Sequence, residues 1–125
     1  MKEETKMKIV YIAHPLSGDI VGNLDKIKGI IRYINLTESN IVPFAHYFVD
    51  CYALDDSIPE ERERGIKNDT ALFKAGFIDE LWLYGDTISR GMWHEIILAQ
   101  SLDTPVVPKT ESTKYELEMN RCFYK

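Results

Sequence analysis

A serine, a glycine and a glutamate lie at short spacing in the C-terminal half of the chain, as Ser89, Gly91 and Glu95. The apolar residues 80–84 before them predict a buried parallel strand, and residues 96–100 after them predict a helix that packs on the sheet. In open α/β sheets ligands bind outside the carboxyl ends of the strands, so this turn is expected to face a pocket. The spacing places Glu95 in the first helical turn, where the helix dipole favours an ionised carboxylate. It therefore indicates a nucleophile or a charge stabiliser, with an ordinary acidic helix start as the alternative.

The elements that must position this turn alternate along the chain. Four apolar segments predict strands, at residues 8–13, 40–44, 80–84 and 104–108. Helical spacing between them predicts a helix capped by Asn23, a helix with Ser57 as its cap and Pro59 near its first position, and a helix over residues 91–102. This order predicts a doubly wound parallel sheet of the flavodoxin or Rossmann type, with three α/β/α layers.

Three stretches of the chain have weaker signals. Pro43 predicts that the second strand lies at an edge of the sheet. Residues 45–58 follow no period, and we interpret them as a functional loop or a broken helix. Residues 109–125 contain no clear element.

Composition limits the class of ligand and compartment. The chain has 125 residues, of which 45% are hydrophobic, which is typical of one globular domain. A net charge of −5 with scattered lysines argues against binding to a nucleic-acid polymer but allows a mononucleotide. No apolar run approaches the roughly 20 residues of a membrane span, and the first residues lack the apolar segment of a signal peptide, so we expect a cytoplasmic protein without membrane contact.

The histidine and cysteine residues give little support for a metal-binding site. His14, His46 and His94 could be ligands together with Cys51 or Asp50, but no HExxH or paired-cysteine spacing exists. We therefore expect no metal and no cofactor. Cys51 and Cys122 are expected to be free thiols.

The order of several motifs resembles the nucleoside 2-deoxyribosyltransferase superfamily. These are Tyr11-Ile12-Ala13 leading into a Ser-Gly loop, the pair Asn68-Asp69 before the third strand, Ser89-x-Gly91-x-x-x-Glu95, and Pro105-Val106-Val107. The resemblance covers roughly residues 8–108, with 109–125 as a tail of the same domain. It implies that Glu95 attacks the anomeric carbon, that Asp69 acts on the base or sugar, and that Tyr11 orients the glutamate. From the pattern alone, Tyr11 is an ordinary strand residue and Asp69 a charge on a solvated helix face.

One departure from the family pattern concerns the turn before the glutamate. Transferases of the family usually have Asp-Asp-Gly there, whereas this chain has Ser89-Arg90-Gly91. That pattern is similar to the branch that hydrolyses nucleoside 5′-monophosphates, in which the serine and backbone amides hold the phosphate. A helix N-terminus suits an anion because its first N–H groups lack intrahelical acceptors. Arg90 could add a bidentate donor or be a plain surface arginine, and Ser17 and Gly18 could contact phosphate or sugar or form a plain turn.

These residues lead to one expected function and one alternative. The expected function is hydrolysis of the N-glycosidic bond of a (deoxy)nucleoside 5′-monophosphate through Glu95, or the related transfer of deoxyribose between bases. The alternative is a domain that binds a nucleotide without cleaving it, with Glu95 holding a ribose hydroxyl. Either function requires only a small-molecule nucleotide or nucleoside as the ligand.

Aromatic residues bear on the assembly of the protein. The number of aromatic residues in this small domain favours a homodimer or a higher even-numbered oligomer. Enzymes of the resembling superfamily complete their pockets with a neighbouring subunit, and the resemblance therefore implies that the 45–58 loop or the tail borders the partner's pocket. The alternative is that the aromatic side chains fold onto their own domain. The residues concerned are Tyr47, Phe48, Tyr52, Phe123 and Tyr124.

Overall fold

A computed structural model describes residues 6–120 and contains one four-stranded sheet in which all strands are parallel. The strands are β1 (Lys8–Ala13), β2 (Ile41–Phe44), β3 (Glu80–Leu83) and β4 (Val106–Pro108). The helices are α1 (Ile20–Thr37), α2 (His46–Ala53), α3 (Pro59–Lys74), α4 (Arg90–Ser101) and α5 (Glu111–Asn120). The sheet order is β2-β1-β3-β4, so the strand order reverses between β1 and β3.

Alternation along β1 sends its side chains into two separate cores. Val10 and Ile12 pack with Ile34 of α1 on one face of the sheet. Tyr11 and Ala13 lie in the core of the other face, to which α3, α4 and α5 contribute Phe73, Ile96 and Leu117. Helices therefore cover both faces, and the predicted doubly wound, three-layer α/β/α fold is confirmed.

The predicted strands are all present: β1 has the predicted ends, and the other three differ from the predictions by one or two residues at one end. The strand that contains Pro43 lies at the outer edge of the sheet, as predicted. Proline is tolerated there because it has no N–H, and one side of an edge strand has no neighbouring strand to which an N–H would donate. The helix predicted at 91–102 is observed as Arg90–Ser101.

The predicted cap of α1 is wrong. The helix begins at Ile20, one turn before Asn23, because Asp19 caps it by accepting a hydrogen bond from the Gly22 N–H at 3.0 Å. The Asn23 side chain instead donates to the Leu16 carbonyl at 3.0 Å. Asn23 therefore ties the loop after β1 to the first turn of α1.

The predicted cap of α3 is also wrong, although Pro59 does begin that helix. Ile58 occupies the cap position without a side-chain hydrogen bond. The Ser57 hydroxyl donates to Asp55 at 2.6 Å, so it is taken up by the turn before the helix. A fixed proline φ and two acidic residues in the first turn stabilise this start without a serine.

Two segments without a clear sequence signal are helical. Residues 45–58 contain α2, a two-turn helix, which confirms the broken-helix interpretation. The tail contains α5, so the expectation of no element there is wrong for residues 111–120. The Thr110 hydroxyl accepts from the Thr113 N–H at 3.1 Å and so caps α5. Cys122, Phe123 and Tyr124 lie outside the described residues.

No helix within residues 6–120 is both long enough and apolar enough to cross a membrane.

Candidate functional site

Three acidic or phenolic side chains from three different elements meet under the carboxyl end of β1. Tyr11 of β1 is fully buried, and its hydroxyl oxygen lies 2.5 Å from Asp69 Oδ1 of α3 and 2.5 Å from Glu95 Oε2 of α4. We call these residues the carboxylate cluster. Asp69 and Glu95 are 58 and 84 positions from Tyr11 in the sequence, and the fold brings each of them into contact with its hydroxyl.

Hydrogen counting in the carboxylate cluster requires an extra proton. A tyrosine hydroxyl has one hydrogen and donates it to one acceptor, while its oxygen accepts from a second group. An ionised carboxylate accepts only, so the hydroxyl of Tyr11 can bond both carboxyls only if one of them is protonated. Asp69 and Glu95 therefore share one acid proton through Tyr11.

Burial raises the pKa of two members of the carboxylate cluster. Desolvation raises the pKa of Glu95 well above its usual value of 4.5, and the charge of Asp69 and a hydrogen bond with Asp69 raise it further, while the hydrogen bond from Tyr11 opposes these effects. Desolvation and the two carboxylates also raise the pKa of the Tyr11 hydroxyl, which stays protonated. Burial therefore favours the protonated form of Glu95 over its carboxylate.

The expectation that Glu95 lies in the first helical turn is wrong. Helix α4 starts at Arg90, so Glu95 is in its second turn, and its exposed fraction is 8%. The helix dipole acts within the first turn, whereas burial penalises a charge wherever it occurs. Desolvation therefore outweighs the dipole at this position.

Aromatic side chains surround the carboxylate cluster. The ring of Tyr11 lies 4.8 Å from the ring of Phe73 and 5.9 Å from that of Tyr47. The Tyr47 hydroxyl donates to the Ile12 carbonyl at 2.7 Å, and burial raises its pKa well above the usual range. Tyr47 was expected at an oligomer interface, but it packs within its own chain beside the carboxylate cluster. Tyr47 follows Pro43 and an edge strand, and nothing in this sequence context indicated that it packs beside the carboxylate cluster.

The predicted phosphate turn is the start of α4. Ser89 is the N-cap, and its hydroxyl oxygen accepts from the Met92 N–H at 3.2 Å. Arg90 and Gly91 are exposed, and a Cβ at Gly91 would meet no atom within 4 Å. The amides of Arg90 and Gly91 are the first two of the helix, which have no intrahelical acceptor. This turn is therefore open to an anion, although the Ser89 hydroxyl already has one structural role.

Helix α5 fixes the loop that leads into this turn. The carboxylate of Glu116 accepts hydrogen bonds from the Ile88 N–H and from the Thr87 hydroxyl. The Thr110 hydroxyl donates to the Gly85 carbonyl at 2.9 Å. Sequence reasoning missed these supports because it assigned no element to the tail. The available signal for this helix was Thr110, which can cap a helix, followed by Glu111 and by ten residues without glycine or proline.

Ser17 and Gly18 form the exposed turn between β1 and α1. Gly18 has a φ of 97°, a conformation that favours glycine, which supports the plain-turn interpretation. This turn and the Ser89 turn follow β1 and β3, which are neighbours in the sheet. Both turns therefore lie at the carboxyl ends of the strands, but neither belongs to the carboxylate cluster.

A cleft of about 270 Å³ opens at the point where the strand order reverses. We call it the switch-point cleft; its lining comes from the loops after β1 and β3 and from α1. Gly85 has a φ of 98°, and a Cβ there would approach Pro15 Cδ to 2.5 Å, so only glycine fits. The lining residues are His14, Pro15, Asn23, Lys26, Gly85, Asp86 and Thr87.

Within residues 6–120, no group of three or more histidine, cysteine or acidic side chains is arranged to hold a metal ion. His46 Nε2 lies 3.4 Å from Asp50 Oδ1 on α2. Cys51 on the same helix is a half-buried free thiol, as expected for this residue.

Comparison with known proteins gives a family but no activity. No curated protein and no solved structure matches the chain. One family model matches residues 8–109, which include all four strands and the whole carboxylate cluster. The chain therefore belongs to the family described as "Domain of unknown function (DUF7768)".

Proposed function

We propose that the protein cleaves the N-glycosidic bond of a nucleoside 5′-monophosphate, or transfers its deoxyribose, with Glu95 as the nucleophile. The observation that carries the proposal is the contact of Tyr11 with both Asp69 and Glu95. In retaining glycosidases two carboxyl groups also act as a pair, one attacking the sugar while the other transfers protons.

The shared proton fits the first half of this reaction. Glu95 must be ionised to attack the anomeric carbon, and the leaving base must gain a proton. In our proposal, the Glu95 proton passes to the Tyr11 oxygen while the Tyr11 proton passes to Asp69. Asp69 then protonates the base as the bond from C1′ to nitrogen breaks and the bond from C1′ to Glu95 forms.

Hydrolysis completes the cycle with the same groups. A water molecule attacks C1′ and gives its proton to the Asp69 carboxylate, while the sugar–Glu95 ester bond breaks and releases Glu95 as a carboxylate. Return of the proton through Tyr11 restores the starting state. In the transfer reaction, an acceptor base takes the place of water. The aromatic walls supplied by Phe73 and Tyr47 limit the access of bulk water to these steps.

The 5′-phosphate is assigned to the start of α4. The amides of two exposed residues and the Arg90 side chain supply donors there, and no acidic side chain lies in the first turn. An aspartate at position 89 or 90, as in the transferases of the resembling superfamily, would repel a phosphate. Ser17 and Gly18, at the same edge of the sheet, are assigned a supporting contact to phosphate or sugar.

Incubation with a panel of ribo- and deoxynucleoside 5′-monophosphates and the matching nucleosides tests the proposal, with free base measured by chromatography. We expect base release from monophosphates and slower release from nucleosides. Adding a second free base to the reaction distinguishes transfer from hydrolysis. Absence of base release from every compound would contradict the proposed activity.

The burial of Glu95 favours a second candidate, a nucleotide-binding domain without catalysis. A protonated carboxyl can donate a hydrogen bond to a ribose hydroxyl without forming a covalent bond. Under this alternative, calorimetry would detect nucleotide binding by a protein that releases no base.

We further propose a homodimer or a higher even-numbered oligomer in the cytosol. On α2, the side chains of Tyr52 and Val49 are 73% and 57% exposed, and their spacing of three residues places them on the same face of the helix. Tyr47 and Phe48 are half-buried and therefore support the alternative in which aromatic residues pack on their own domain. Sedimentation at micromolar concentration checks this proposal: we expect a dimer that Tyr52→Glu weakens, and a monomeric wild type would contradict it.

A further inference from the structure

One face of α5 carries the polar side chains that bond the segment between β3 and α4. Thr113 is fully buried, and its hydroxyl oxygen lies 3.3 Å from the Leu83 carbonyl oxygen. The hydroxyl of Thr110, which caps the helix, donates to the Gly85 carbonyl, and Glu116 bonds the next two residues but one. The spacing of three residues from Thr110 to Thr113 to Glu116 places these side chains on one side of the helix. This side of α5 therefore follows the backbone of the segment that leads to the start of α4.

Glu116 makes the contact that lies nearest to the proposed phosphate site. Its carboxylate accepts from the Thr87 hydroxyl at 2.8 Å and from the Ile88 N–H. Ile88 is 7% exposed and directly precedes Ser89, the N-cap of α4. Without the carboxylate, the Ile88 N–H would lie in a partly buried position without this acceptor, which is a costly state for a backbone donor. Glu116 therefore holds the backbone just before the N-cap.

The first turn of α4 depends on such support because packing does not hold it. The buried residues of α4 begin at Met92, whereas Arg90 and Gly91 are exposed. Helix ends fray when their terminal groups are not fixed. The backbone of residues 89–91 is thus held by the core at Met92 on one side and by Ile88 on the other. Donors that are already held in place bind a ligand more tightly, because less conformational freedom is lost on binding.

Resting on the proposed phosphate site at the start of α4, we propose that Glu116 is a positioning residue that sets the preference of the protein for 5′-monophosphates over nucleosides. It acts through Ile88, which holds the N–H donors of the first turn of α4 in place for the phosphate. The role requires the acceptor oxygens of Glu116 and not its negative charge, because a charge of the same sign does not attract a phosphate. Helix α5 lies beyond residues 8–109, so this preference is set by a part of the chain that the family model does not match.

Calorimetric binding to the Glu95→Gln protein tests this inference, because that variant is expected not to consume its ligands. The ligands are dAMP, dGMP, dCMP and dTMP, each compared with its own nucleoside. Adding Glu116→Ala should weaken monophosphate binding by about tenfold, the effect of one hydrogen bond to a charged group, and leave nucleoside binding unchanged. Alanine has the highest helix propensity, so the substitution does not weaken α5 itself.

Three further variants separate positioning from folding and from charge. Glu116→Gln keeps an acceptor oxygen for the Ile88 N–H and should bind monophosphates as tightly as the parent protein. Thr87→Val removes the hydroxyl that bonds the same carboxylate, at an exposed position, and should cause a smaller loss of monophosphate affinity. Glu118→Ala removes an exposed carboxylate two residues away on α5 and should change neither affinity.

Several outcomes overturn the inference. Equal weakening of monophosphates and nucleosides by Glu116→Ala would leave Glu116 a structural role only, and unchanged monophosphate binding would leave it none. A Glu116→Gln protein that binds monophosphates as weakly as Glu116→Ala would contradict the role of the acceptor oxygens. Base release by a wild type whose phosphate preference survives Glu116→Ala overturns this inference alone. A phosphate preference that Glu116→Ala removes, in a wild type that releases no base, supports this inference and overturns the proposed activity alone.

Discussion

The carboxylate cluster and the Ser89 turn belong to neighbouring parts of α4 and differ in almost every physical property. Glu95 is buried and contacts Tyr11 of another element, whereas Arg90 and Gly91 are exposed at the helix start. Burial makes the cost of a charge high in the first region and low in the second. A substitution that changes the charge should therefore affect bond cleavage when it is made at Glu95, and the choice of ligand when it is made at Ser89.

The largest expected effect is on the reaction of Glu95. Glu95→Gln keeps the shape of the side chain but removes the nucleophile, and we expect base release to fall by about 10⁴-fold or more. Glu118→Gln, on an exposed side chain of α5, should not change the rate. Near wild-type turnover by Glu95→Gln would show that this residue is not the nucleophile.

Two tyrosines allow the proton-sharing role to be separated from packing. Tyr11→Phe keeps the ring contacts but removes the hydroxyl between the carboxyls, and we expect base release to fall by about 10- to 100-fold. Tyr47→Phe removes a hydroxyl that bonds only the Ile12 carbonyl, at a cost in stability of about 1 kcal/mol and with little effect on rate. Equal rate losses in the two variants would contradict the specific role of Tyr11.

The Ser89 turn should affect the preference for phosphate. Ser89→Asp keeps an acceptor that can cap α4 but adds a negative charge, so 5′-monophosphate binding should weaken by about tenfold while nucleoside binding changes little. Ser101→Asp, at the other end of the same helix, is the matched control. Calorimetry that shows equal weakening for both ligands would remove the phosphate from this turn.

The smallest expected effect is on stability as a function of pH. Because the folded pKa of Glu95 lies above 4.5, the folded state retains a proton that the unfolded chain loses as the pH rises. The free energy of unfolding should therefore fall as the pH rises from about 4.5 to the folded pKa. Glu95→Gln cannot titrate at this position and so does not lose stability in this way. The Tm of Glu95→Gln minus that of the wild type should therefore increase by about 4 °C between about pH 5 and pH 8, which corresponds to roughly 1 kcal/mol. A constant difference in Tm across this range would contradict the raised pKa.

Local sequence determined the strands, the edge position of Pro43 and the start of α3 at Pro59, because alternation, a missing N–H and a fixed φ act within a few residues. It did not determine the caps at Asp19 and Ile58, since several residues near each helix start are competent to cap and packing selects among them. Helix α5 escaped prediction because its single buried stripe, Thr113 and Leu117, is too short to establish a period.

The resemblance to the nucleoside 2-deoxyribosyltransferase superfamily singled out Tyr11, Asp69 and Glu95, but only the tertiary structure brought them together. Contacts across 58 and 84 residues place one hydroxyl between two carboxyls, and the surrounding core removes the water that would otherwise let both ionise. A pKa depends on that three-dimensional environment more than on position along a helix, which is why the sequence indicated an ionised Glu95 whereas burial in the fold raises the pKa of its carboxyl.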